Sequence, residues 1–378
     1  MKRIICLILS IVIVFSAVPA MAADNTVKLT GERIAIEDDT PSTVWADQKG
    51  GTLVWNKEAN TLTFNSFRYD IAKMDGNYAS AFSIRPECSI ILNSTSVITS
   101  SAKAIYTMVL NGAVISGDGK LVVYGANLEP EDTEKYFPVS WNAYSAAVSG
   151  SFTLNGGTLE AIGGPMKCDN KADLFDFANC SSSYGVHGTG YDKVQINGGH
   201  LIAKGGTTSG RKYYNESIGV FVGGGLAISG GRVTASGKDY GASGKLAFPQ
   251  YSEGILYAVG EKSGIDCKTI DEEVIAYGSP ELNADEDSVT GTLSRVCTSI
   301  RLSDDESSTN VKKFYEYTTG GAPAKTIVAR RNNERKLAIT DLGAELSEEA
   351  GSEVSYSLVT KNIKAEEFPQ IEWTGDTP

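Results

Sequence analysis

The chain has 378 residues, with 34 lysines and arginines against 46 aspartates and glutamates, a net charge of −12. An acidic chain without a basic patch excludes nucleic acid from the expected partners, and the length allows one large or two smaller domains. Forty glycines and seventeen tyrosines fit an all-β protein rich in turns.

Residues 1–23 read as a secretory signal peptide. Lys2 and Arg3 precede an apolar run from Ile4 to Ala17, and Ala20-Met21-Ala22 has the form of a cleavage site. The run is short for a membrane span. No later run is long enough for one, so the expectation is a secreted chain, extracellular or cell-surface associated. Without Lys2 and Arg3 the balance is 32 basic against 46 acidic residues, or −14. Cys6 leaves with the peptide. Cys168 and Cys180 flank CDNKADLFDFANC and are candidate disulfide partners in an oxidising compartment. Cys88, Cys267 and Cys297 cannot all pair among themselves and read as buried single cysteines. There is no C-x-x-C to suggest a cysteine zinc site.

Residues 24–48 supply one or two opening strands. In GGTLVWNKEANTLTFNSF, Leu53 and Trp55 alternate, Lys57 to Asn60 can turn, and Leu62 and Phe64 alternate again. This is a hairpin or a first coil. Two further coils follow in ASAFSIRPECSIILNSTSVITSS and AKAIYTMVLNGAVISGDGKLVVYG.

A motif then returns: FTLNGGTLEAIGG from Phe152, VQINGGHLIAKGG from Val194 and LAISGGRVTASG from Leu226, with a looser copy from Val114. Apolar residues two apart place side chains on one face of a strand. Gly-Gly marks a corner, and a second alternating pair starts another strand. With a short apolar piece before each copy (KAIYTM, SAAV, YGVHG, IGVFVGG), every unit holds three short strands. That is the layout of a parallel β-helix, in which stacked coils complete each other's core. The predicted fold is all-β: a right-handed, single-stranded parallel β-helix over residues 24–280. Residues 281–378 form a terminal cap and a small β-rich module.

The repeat is uneven, because extra residues follow the closing glycine of each unit. They read NLEPEDTEKYFPVSWNAY, PMKCDNKADLFDFANCSSS, TTSGRKYYNES and KDYGASGKLAFPQYS. Insertions at the same corner of successive coils emerge on one side, and such sides often form binding surfaces. Every insert carries aromatic residues, which present an apolar face and a polar handle suited to pyranose rings. The candidate ligand-binding residues are Trp141, Tyr144, Tyr213, Tyr214, Arg211, Asp173 and Asp176. Acidic residues in the inserts suggest calcium as a possible cofactor; none is required.

No catalytic motif stands out: there is no H-E-x-x-H, G-x-S-x-G or phosphate-loop lysine motif. His200 occupies the corner slot held by Thr158 and Arg232 in sister coils, and His187 follows Val186 and can face outward. Glu160 and Lys204 are the charged strand positions, and they do not make an acid–base cluster.

The order of WNKEANTLTFN, an I-x-L-N-S-T-S-x-I-T coil and successive Gly-Gly coils resembles secreted, pectin-lyase-like β-helix surface proteins of Gram-positive anaerobes. Some relatives in that group are carbohydrate-binding. The resemblance spans about residues 50–280 and implies the fold more than the function. The leading expectation is a non-catalytic binder of polysaccharide or cell-wall glycan. A polysaccharide lyase or glycoside hydrolase is the alternative, and an adhesin or structural surface protein a further one.

Overall fold

The computed structural model describes residues 26–74, 79–132, 142–167, 180–210, 214–249, 251–270, 274–279, 281–282, 296–299, 311–314 and 324–331. Three strands per turn wind into a parallel β-solenoid. A first face is built from Ile34–Ala35, Ser80–Ser83, Tyr106–Val109, Asn142–Ser149 and Cys180–Gly188, each parallel to the next. A second face stacks Thr61–Asn65, Ser89–Leu92, Ala113–Gly117, Phe152–Leu154 and Val194–Ile196. The strand Tyr214–Ile228 runs across both faces, pairing with Cys180–Gly188 in its first half and Val194–Ile196 in its second. A third face stacks Arg68–Ile71, Thr95–Ser100, Lys120–Tyr124, Thr158–Ile162, His200–Lys204, Arg232–Ser236 and Ile255–Val259.

The apolar pairs of the repeat point inward. Leu62, Ile90, Ile115, Leu154, Ile196 and Ile228 occupy equivalent places in successive second-face strands and are fully buried. Leu121, Leu159, Leu201, Val233 and Leu256 do the same on the third face. These ladders belong to one continuous core from Leu29 to Ala329. Burying a Leu or Ile side chain contributes about 1.5–3 kcal/mol, so stability accumulates coil by coil.

Close stacking on the coil below requires both glycines of the corner, and a left-handed backbone adds to this at the second. Gly157, Gly199 and Gly231 have φ of 70°, 69° and 67°, a left-handed backbone that suits glycine. The first glycine is fixed by its neighbour: a Cβ on Gly198 or Gly230 would lie 2.5 Å from the carbonyl oxygen of Asn155 or Asn197 one coil below. The asparagines before the corner also stack, with Asn197 Nδ2 donating to Asn155 Oδ1 at 3.0 Å.

Both ends are closed by antiparallel strands. At the start, Thr43–Ala46 and Thr52–Asn56 form a hairpin, and Thr52–Asn56 pairs antiparallel with Thr61–Asn65. The predicted hairpin and the predicted first coil are thus both present. At the far end, Thr326–Arg331 lies antiparallel between Ile255–Val259 and Val274–Ser279. Reversing strand direction ends the parallel stacking that a further coil would need. Val296–Ser299 pairs antiparallel with Val311–Phe314. Residues 1–23, read above as a signal peptide, and residues 332–378 lie outside the described residues.

One expectation is overturned. KDYGASGKLAFPQYS is not a fourth insert, because Tyr240–Ala247 is a coil strand in register with Tyr214–Ile228. Its Phe248 is fully buried in the core, whereas Tyr251 is exposed in a turn. The aromatics of this stretch share no side of the solenoid, since the chain there continues the coil itself.

Candidate functional site

The three remaining inserts leave and re-enter the solenoid at aligned places. On the leaving side, Leu128 bridges Met166, and Met166–Lys167 pairs with Thr208–Ser209 in parallel. On the re-entering side, Asn142 pairs with Cys180, and Cys180 with Tyr214. The stems are tied together: Lys167 Nζ lies 3.1 Å from Glu129 Oε2, and Leu128 and Met166 pack in a small buried cluster with Ala126. Equal register at both stems fixes all three inserts to one edge of the first face.

Of the predicted ligand residues, the Tyr144 side chain is described. Trp141, Asp173, Asp176, Arg211 and Tyr213 lie outside the described residues, as do the side chain of Tyr214 and the Cys168–Cys180 pairing. The backbones of Cys180 and Tyr214 stand side by side. Among the described residues, no group of three or more metal-ligating side chains is placed to hold an ion.

Tyr144 belongs to an aromatic strip on the outer surface of the first face. Its ring lies 6.1 Å from Tyr106 and 5.0 Å from His187. His187 stacks in turn on Phe221, with centroids 5.6 Å apart and planes at 14°, and Tyr184 lies 4.8 Å from His187. Ala146, Tyr184 and Ile218 are buried in this cluster, with Tyr106, Tyr144, Phe221 and Tyr240 packed around them. Tyr144, His187 and Phe221 lie nearly face to face from coil to coil, whereas Tyr106 is tilted against Tyr144 and Tyr184 against Phe221.

His187 faces outward as expected, yet it is only 7% exposed, and its Nδ1 has no hydrogen-bond partner. Burial holds its pKa down to about 4, with the Asp192 carboxylate pulling the other way. The ring is therefore neutral at pH 7. Asp192 itself is held by Thr189 N and Oγ1, each at 2.7 Å, and by Ser151 Oγ at 3.0 Å. It serves the turn between coils rather than orienting the histidine, so no Ser-His-Asp relay is formed. Burial and a hydrogen bond with Tyr144 push the Tyr106 hydroxyl well above the usual tyrosine range.

The far end of the strip is charged. Asp239 accepts from Ser217 N at 2.8 Å and pairs with Lys262 at 3.0 Å, and that ammonium lies 5.5 Å from the Tyr240 ring. Glu216 follows Tyr144 and Ser182 in register. Burial raises its pKa; Lys262 opposes this, and Asp239 and Asp266 reinforce it.

Sequence reasoning missed Tyr106, Tyr184 and Phe221 because each first-face strand bends. Thr107 and Met108 are both buried, as are Ala147 and Val148. Two consecutive inward residues break the alternation that separates inside from outside. A small residue ahead of each inward Val is the signal that marks the bend: Ala147, Gly185 and Gly219 precede Val148, Val186 and Val220.

On the third face, the charged strand positions form a structural ladder. Glu160 is held by Lys120 at 2.6 Å and Lys204 at 2.9 Å, and His200 Nε2 lies 2.8 Å from Thr234 Oγ1. His200 does occupy the corner register shared with Thr158 and Arg232.

No protein-family model, curated protein or solved structure matches this chain.

Proposed function

We propose that this chain is a secreted, non-catalytic polysaccharide-binding β-solenoid acting outside the cell, with its ligand side on the edge where the three inserts emerge. One observation carries the reading. The insert stems are in register at both ends, which supports a shared edge for the insert residues Trp141, Tyr213 and Tyr214. Aromatic residues at such an edge suit the apolar faces of sugar rings, and polysaccharide or cell-wall glycan is the partner this implies. The aromatic strip lies on the first face beside the insert stems, and in this reading sugar stacking falls mainly to the insert residues.

The test is a glycan array on the chain without residues 1–23, repeated with Trp141, Tyr213 and Tyr214 changed together to alanine. Binding by the unaltered chain and a loss of tenfold or more in the triple variant support the reading, provided the far-UV spectrum is unchanged. Absence of any glycan signal, or undiminished binding by the variant, overturns it.

A hydrolase is the second reading, favoured by Glu216. A carboxyl pushed upward by burial beside other carboxylates is suited to general-acid work. Release of reducing ends from a bound glycan, abolished by Glu216→Gln, would establish it; binding without product release would remove it.

A further inference from the structure

Lys193, Gly225 and Lys245 form one row across three successive coils of the second face. They immediately precede Val194, Leu226 and Leu246, which pair in register. Neighbouring strands lie ~4.8 Å apart, so the two lysine stems are about two strand spacings apart, with no side chain standing between them. The next row reads Gln195, Ala227 and Ala247, which keeps the depression open. The result is a groove of about 390 Å³ with Lys193, Gln195 and Lys245 on its rim and Gly225, Ala227 and Ala247 beneath, so that its floor is largely apolar. That size is at the lower end for small-ligand sites.

The groove depends on an irregularity in the coil. The pairing of Tyr214–Ile228 with Tyr240–Ala247 shifts register between Val222 and Leu226, and the next pairing shifts between Gly244 and Lys245. Gly225 has φ of 133°, and a Cβ built there meets nothing nearer than Lys245 Cβ at 4.0 Å. Its backbone conformation thus disfavours a side chain at the one place where a side chain would fill the gap.

Both lysines are exposed, and neither ammonium group has an ion-pair partner among the described residues. Asp192 is the nearest acid in sequence to Lys193, but its oxygens are taken by Thr189 and Ser151. Two unpaired lysines on either side of one gap concentrate positive charge there, which an anion lying between them would offset. Lysine is a compact point charge, whereas a carboxylate is best matched by the planar fork of arginine. No arginine lines the groove.

We propose that this groove is a subsite for a phosphate or sulfate ester carried on a glycan chain. The ester oxygens lie between Lys193 and Lys245, Gln195 offers its amide to the adjoining sugar, and the chain continues along the face. The inference rests on the polysaccharide-binding reading and adds to it a second contact surface with a stated charge preference.

The probes are dextran, carboxymethyl dextran, dextran phosphate and dextran sulfate, titrated calorimetrically into the chain without residues 1–23. One or both ester polymers should bind at least tenfold more tightly than dextran and carboxymethyl dextran, and binding should weaken with salt. Which of the two binds identifies the source of the ester. Lys193→Ala with Lys245→Ala should reduce that affinity at least tenfold, and Lys193→Arg with Lys245→Arg should restore part of it. Failure of both ester polymers to bind, equal binding of carboxymethyl dextran, or an unaffected double-alanine variant overturns the subsite. The Trp141, Tyr213 and Tyr214 variant separates the two ideas: on the glycans that the array identifies, its failure to matter counts against the insert edge and leaves the groove to the lysine variants.

Discussion

The imidazole of His187 lies 5.0 Å from the ring of Tyr144, with their planes at 23°. The two residues come from adjacent coils, so this contact links the re-entry end of one first-face strand to the far end of the next. The imidazole is 7% exposed, its Nδ1 is unpartnered, and its pKa is held to about 4.

That pKa makes folding pH-dependent. In the unfolded chain the histidine titrates near its ordinary value of about 6.5. Between that value and about 4 the unfolded state binds a proton that the folded state does not. Stability is therefore present above pH 6.5 and is lost as pH falls, by about 3 kcal/mol at pH 4, levelling off below. His187→Phe keeps a flat ring between Tyr144 and Phe221 and removes the titration. Urea denaturation at pH 7, 5.5 and 4.5 should show this variant losing about 2 kcal/mol less than the parent at the lowest pH. Parallel losses in the two proteins would show that His187 does not carry the effect.

The Gly-Gly corner makes a sharp prediction because a side chain on either glycine meets the backbone of the coil below, and the second glycine also has a left-handed φ. Gly198→Ala places a methyl group 2.5 Å from the Asn155 carbonyl, and Gly199→Ala forces alanine to a φ of 69°. Each should cost about 2–3 kcal/mol, within the range of severe single substitutions. Gly190 has open space where its Cβ would lie, so Gly190→Ala should stay within about 0.5 kcal/mol of the parent. Thermal unfolding of the three variants checks this, and equal midpoints for Gly190→Ala and Gly198→Ala would contradict it.

How far the sequence discloses such features depends on periodicity. Leu154, Ile196 and Ile228 alternate with polar neighbours, so the inner face, the corner and the stacking partners of these residues can all be read without coordinates. The same counting aligns the first three inserts, since their stems follow a fixed distance from the closing glycine. It fails at Tyr240–Ala247, where KDYGASGKLAFPQYS looks like surplus only because this coil lacks a Gly-Gly corner to mark its phase. It fails again at the aromatic strip, since the bend at Thr107–Met108 and its counterparts points two consecutive residues inward. The lysine groove was invisible for a related reason. Lys193 and Lys245 are 52 positions apart, and the register shift that brings them into one row is set by packing, not by any local pattern.

Cys88 gives a separate readout of the core. Its thiol is fully buried, and burial pushes its pKa up to about 11, partly offset by a backbone hydrogen bond and by Arg85. The reactive thiolate is then scarce at pH 8, and reagent has no path to it. Iodoacetamide at pH 8, followed by peptide mapping, should leave Cys88 unmodified over hours in buffer and modify it fully in concentrated guanidinium. Rapid labelling in buffer would mean that the coil containing Ser89–Leu92 opens locally.

The Glu160 ladder on the third face isolates what structure contributes apart from binding. Val122 and Ile202 flank Glu160 in register, so the carboxylate stands between two apolar neighbours. Lys120 and Lys204 reach it diagonally, at 2.6 and 2.9 Å. Burial works to raise its pKa, but the hydrogen bonds from the two lysines outweigh it and hold the carboxyl below the usual range. The pair therefore adds stability above the ordinary glutamate pKa, and that contribution is lost as pH falls through the lowered folded value. The lysines are more than a third exposed, so solvent screening limits the gain. Glu160→Gln should cost about 1 kcal/mol at pH 7 and less in high salt. Lys120→Met and Lys204→Met should each cost about half as much, and a double-mutant cycle should show coupling to Glu160 for both. None of the three should alter glycan affinity, since the insert stems and the lysine groove use the other two faces. A Glu160→Gln variant of unchanged stability but weakened glycan binding would move the ligand side to the third face.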